Sequence, residues 1–82
     1  MRTIEVNVTQ GDIDNGARFS CWACPAALAI RRATGDDFVM VRGAGMTIHS
    51  QTYSLPNALA AFVLTFDHGY PVSPFTFTLE IE

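Results

Sequence analysis

Apolar and polar residues alternate from Thr3 to Val8, with Ile4, Val6 and Val8 on one face. A period of two marks a strand that buries one side. The same alternation returns at the far end, where Phe75, Phe77, Leu79 and Ile81 share a face and Thr76, Thr78 and Glu80 the other. Between these strands the period changes. Leu59, Phe62, Val63 and Phe66 fall at i, i+3, i+4 and i+7, the core stripe of an amphipathic helix. Ser54-Leu55-Pro56 opens this helix and His68-Gly69 closes it. An earlier helix starts near Cys24-Pro25, because proline suits a first turn whose N–H groups are unpaired anyway. Ala26 to Ala33 is rich in helix formers, Arg31 and Arg32 sit where the helix dipole favours cations, and Gly35 ends the run.

Phe38 to Arg42 reads as a second strand and Met46 to about Tyr53 as a third. Gly43-Ala44-Gly45 supplies the glycines of a tight reversal between them. Gln10 to Asn15, after Thr9, reads as a short helical turn or loop, with Gly16 in a left-handed closing position. The order is therefore β-α-β-β-α-β, that of the ferredoxin-like, split βαβ arrangement. The expectation is an α+β, two-layer sandwich, with two helices on a four-stranded antiparallel sheet and the terminal strands close together. The second of these helices, with the last strand, is expected to set the core.

Composition adds limits. Eighty-two residues suit one domain, 1–82, and the chain is 49% hydrophobic and 16% charged, too apolar for a disordered segment. The longest apolar run, Ala58 to Leu64, is far short of the roughly 18 residues a membrane span needs. The start of the chain lacks a signal-peptide apolar block, so a soluble, cytoplasmic protein is expected. All basic residues are arginine, and the net charge is −3. That balance disfavours direct nucleic-acid binding, which calls for a basic face.

Candidate chemistry centres on Cys21-Trp22-Ala23-Cys24-Pro25. A C-x-x-C pair at a helix N-terminus can hold a reactive thiolate, but no strand end delivers this one. The same pair could be half of a zinc site, for which His49 and His68 are the available partners; they could meet in space, but nothing in their spacing says that they do. The plainer reading has Cys24 capping the helix while Cys21 and Trp22 pack beneath the loop. Neither histidine has a nucleophile or carboxylate fixed beside it by sequence, and no cofactor motif is present. Exposed aromatics with arginine are the usual anchors of protein interfaces. Trp22, Tyr53, Arg31 and Arg32 are therefore candidate partner-binding residues, with Asp36 and Asp37 in a turn beside them and Tyr53 the stronger candidate for the surface.

The Thr-Ile-Glu-Val start, the Cys-Pro-Ala-Ala-Leu-Ala-Ile-Arg-Arg-Ala helix, the Leu-Pro before an apolar helix and the closing Pro-Phe-Thr-Phe-Thr-Leu resemble small uncharacterised proteins of bacteriophages and bacterial genomes. The likeness spans most of the chain and its motifs are structural. It implies a phage accessory protein, of the kind that includes anti-CRISPR inhibitors, acting in the host cytoplasm. The expectation is a non-enzymatic module without cofactor that occludes a host protein or complex. A free sheet face or strand edge leaves room for a homodimer. The alternative is a dithiol redox or zinc protein centred on Cys21 and Cys24, with His49 and His68.

Overall fold

The computed structural model describes residues 2–42 and 45–81. The alternating start forms β1 (Arg2–Val8), and the alternating end, labelled below as β5, lies antiparallel to it from Arg2↔Ile81 to Val8↔Phe75. In that register Val6 faces Phe77 and Ile4 faces Leu79, so both apolar faces fall on one side. Thr3, Glu5, Asn7, Thr76, Thr78 and Glu80 are exposed on the other.

After β1 the chain turns through α1 (Gln10–Asn15). Thr9 and Asp12 cap it reciprocally: Asp12 N–H donates to Thr9 Oγ1 at 3.2 Å and Thr9 N–H to Asp12 Oδ2 at 2.9 Å. Two otherwise orphaned donors are satisfied this way. Gly16 closes α1 in extended backbone (φ −74°), not the left-handed conformation expected of it. The need for glycine there is one of space, since a Cβ would lie 2.6 Å from the Pro25 ring.

A loop leads to α2 (Pro25–Thr34), which has Pro25 in its first turn, Cys24 as N-cap and Gly35 in the left-handed conformation (φ 72°) at its end. Ala26, Ala27, Ala29 and Ile30 are buried, and the helix lies against β1 and the next strand. The alanines permit that close approach.

Then come β2 (Val39–Arg42), β3 (Gly45–Ile48) and β4 (Gln51–Ser54), joined as an antiparallel meander. The expected hairpin between the first two exists, with Arg42 opposite Gly45. Gly43 and Ala44 lie outside the described residues, and Gly45 itself sits in strand geometry. Val39, Val41, Met46 and Ile48 form the buried face. The chain finishes with α3 (Asn57–Asp67) and β5 (Phe75–Ile81).

The α+β class is as expected, but three details differ. The single strand from Met46 to Tyr53 is two strands, broken where His49 (φ 51°) and Ser50 (φ 68°) make a two-residue turn with both φ positive, the twist a tight hairpin requires. The helical segments number three among the described residues, because the capped Gln10–Asn15 stretch is a helix. The strands form a two-stranded sheet, β1-β5, and a three-stranded sheet, β2-β3-β4, in place of the ferredoxin-like four-stranded sheet. The terminal strands do pair, yet the meander keeps its own ladder.

No helix among the described residues is long and apolar enough to cross a membrane.

Candidate functional site

The loop between α1 and α2 is pinned at several points. Ala17 N–H donates to Ala23 O at 2.8 Å, Ala23 N–H to Ser20 Oγ at 3.0 Å, and Val41 N–H in β2 to Cys21 O at 2.9 Å. The last bond covers part of the outer edge of β2, which an unpaired strand edge requires. Held this way, the loop presents Trp22 outward instead of tucking it beneath. Its ring meets that of Phe38 edge-to-face, centroids 5.1 Å apart and planes at 89°. Such pairs are attractive because a positive ring edge meets a negative ring face. Both stay half in water, Trp22 46% and Phe38 50% exposed.

Polar groups surround this pair in a connected chain. The Arg31 guanidinium donates through Nη2 to Trp22 O. Its Nε is buried without a hydrogen-bond partner. Phe38 N–H donates to Asp36 Oδ1 at 2.9 Å, and Phe38 O accepts from His49 N–H at 3.2 Å. Asp36 Oδ2 lies 2.9 Å from His49 Nδ1, a contact that becomes an ion pair when the imidazole is protonated. The left-handed turn that splits the expected third strand thus delivers His49 to Asp36. Trp22, Arg31 and Asp36, three of the residues singled out from sequence, come together here with His49, which was singled out for metal or redox chemistry. Phe38 joins them from its position just before β2.

Other candidates lie elsewhere. Arg32 grips the Asp12 carboxylate with two nitrogens, at 2.8 and 2.7 Å, and reaches Asn7 O at 2.8 Å. Asp12 is 5% exposed, and the Arg32 guanidinium beside it holds its carboxyl below the usual carboxylate range. Arg32 is therefore a structural residue that ties α2 to α1. Tyr53 is half-buried against the core, not the surface residue expected. Asp37 is exposed beside the patch residues Asp36 and Phe38.

Both cysteines are free thiols. Cys24 is 1% exposed and its Sγ accepts from Ala27 N–H at 3.4 Å, so it caps α2. Burial pushes its thiol up, against the lowering that a helix N-terminus gives a reactive cysteine. Cys21 is half-buried and lines a groove of about 170 Å³ with Phe19, Val41, Val63 and Asp67. His68 lies in the turn after α3. Among the described residues no group of three or more His, Cys, Asp or Glu side chains is placed to hold a metal ion.

Phe19 was not singled out from sequence. It is exposed, adopts a left-handed backbone (φ 56°) that a bulky residue rarely takes, and is held by its N–H donating to Asp67 Oδ1 at 3.0 Å. Phe38 was missed because it reads as the first residue of its strand. The available signal was that inward-facing Val39 and Val41 leave the residue before them free to point away.

Compared with family models, curated proteins and solved structures, the chain matches none.

Proposed function

We propose that this protein is a non-enzymatic protein-binding module whose docking surface is the Trp22–Phe38 pair, rimmed by Arg31, Asp36 and His49. The observation that carries this reading is the exposure of two large aromatic rings held edge-to-face, each with about half its surface in water. Aromatic and arginine side chains supply most hot spots of protein interfaces, and a preformed pair loses little freedom on binding. Charges of both signs at the rim fit a partner with an apolar pocket bordered by an acid and a base. A phage accessory protein that inhibits a host defence by occluding a host protein, as anti-CRISPR proteins do, is the narrower form, and it rests on the sequence resemblance.

Capture from a host lysate tests the module. The Trp22→Ala/Phe38→Ala variant, shown folded by circular dichroism, is expected to lose specific partners. A hot-spot loss of about 2 kcal/mol corresponds to a roughly thirty-fold weaker affinity. Retention of the same partners by the folded double variant refutes the surface. Loss of activity on converting Cys21 and Cys24 to serine, with folding intact, points instead to the dithiol reading.

A further inference from the structure

Trp22 sits between two thiols in one short reversal. Residues 21–23 form a turn and Cys24 a bend. A turn keeps Cα atoms three positions apart within about 7 Å, close to the roughly 4.4–6.8 Å a disulfide spans. The thiols differ in access: Cys21 lines an open groove, whereas Cys24 is buried and engaged as the cap of α2. That is the division of labour of an attacking and a resolving thiol.

The bonds around the turn say what closing it does. Cys21 O is fixed to β2 by Val41 N–H, Trp22 O to α2 by Arg31, and Ala23 O to Ala17 N–H. The Cys24 sulfur is the acceptor of Ala27 N–H, and Ala27 is fully buried, so if bridging draws the sulfur away that amide has no water to replace it. Trp22 and Ala23 are the two residues a Cys21–Cys24 bond would enclose in its ring, so any adjustment the bond requires falls on the tryptophan.

We infer that Cys21 and Cys24 form a redox switch for the Trp22 surface, a disulfide between them releasing the α2 cap and displacing the tryptophan; this rests on the docking reading above. The oxidant is a small-molecule disulfide. The Cys21 thiolate attacks one of its sulfurs, its S–S bond breaks, and the expelled thiolate takes up the proton Cys21 gave up. The Cys24 thiolate then attacks the Cys21 sulfur of the mixed disulfide and expels the second small thiol, which takes the proton from Cys24. One external disulfide becomes two thiols, and the protein dithiol is oxidised by two electrons.

The experiment titrates the full chain with oxidised glutathione and reads intact mass, emission from Trp22, the single tryptophan, and amide exchange at Ala27. The expected result is loss of two hydrogens, a shift in emission, and at least about tenfold faster exchange at Ala27 as its cap opens. Cys24→Ser keeps an oxygen acceptor for the cap and removes the bridge; it is expected to fold, to stop at the glutathione adduct on Cys21 and to keep slow exchange at Ala27. An unchanged mass, a glutathione adduct that persists on Cys21 of the parent, a bridge that leaves emission and exchange unmoved, or a Cys24→Ser protein that responds like the parent overturns the switch. No readout involves a partner, so failure here leaves the docking surface standing. Failure of the docking test leaves the bridge chemistry to be judged on its own.

Discussion

The two long helices look interchangeable as sequence and differ in the fold. The first, α2, carries a side-chain N-cap at Cys24, a left-handed glycine at its end and two arginines in its last turn. It buries Pro25, Ala26, Ala27, Ala29 and Ile30. The second, α3, is the more apolar, yet it begins at Pro56 without a side-chain cap and buries only Leu59 and Phe62. Val63 and Phe66 are half-buried, and Leu64 is 62% exposed. The core was expected to rest on α3 and β5; β5 keeps that role and α2 takes the place of α3. Apolar content says what a helix can bury, while burial follows from which strands lie beside it. Small residues with a well-capped start let α2 lie flat against β1, and no comparable seat holds the length of α3.

The largest effect that would break this contrast is Ile30→Ala. Ile30 is fully buried at the centre of the α2 interface, and its truncation is expected to cost about 2–5 kcal/mol in urea unfolding. A loss below about 1 kcal/mol would place the core elsewhere.

Arg32→Ala comes next, at about 1–3 kcal/mol, because it leaves the buried Asp12 carboxylate without its strongest partner. The same pair sets an acid limit. Asp12 has a folded pKa below its unfolded value, so the folded state holds fewer protons and stability is lost as pH drops. This contribution is fully present above the unfolded carboxylate value of about 3.9 and is lost as pH drops from there through the lower folded value. Asp12→Asn is expected to lack this component of the acid slope. An unchanged slope in acid unfolding would mean the pair is broken in solution.

The smallest effect sharpens the other side. Leu64→Glu on the exposed face of α3 is expected to move the melting free energy by no more than about 0.5 kcal/mol. A large loss in thermal unfolding would show that α3 is seated more deeply than its exposure indicates.

Local periodicity carried much of the fold. The alternations at Thr3–Val8 and Phe75–Ile81 gave both long strands, and Cys24-Pro25 with Gly35 gave both ends of α2. The turn at His49-Ser50 was hidden because its positive φ values fall on residues without the usual glycine or asparagine. The division into two sheets depends on pairings between distant segments, which alternation within a strand does not encode. The candidate site was half legible for the same reason. Trp22 and Arg31 draw notice as residue types, but the edge-to-face Trp22–Phe38 pair and the Asp36–His49 contact arise only when the loop, the end of α2 and the β3–β4 turn converge.

The β1–β5 ribbon sets a schedule for synthesis. Its pair closest along the chain, Val8 and Phe75, still encloses all the helices and the whole meander. On the ribosome β1 emerges early with Ile4, Val6 and Val8 and waits, unpaired, until everything between has been made. The β2-β3-β4 meander needs only neighbouring segments and can zip as it appears, since local closures form faster than distant ones. Until Phe75 is made, β1 therefore lacks its ladder partner, and an unpaired strand edge of this kind is what makes incomplete chains prone to aggregate.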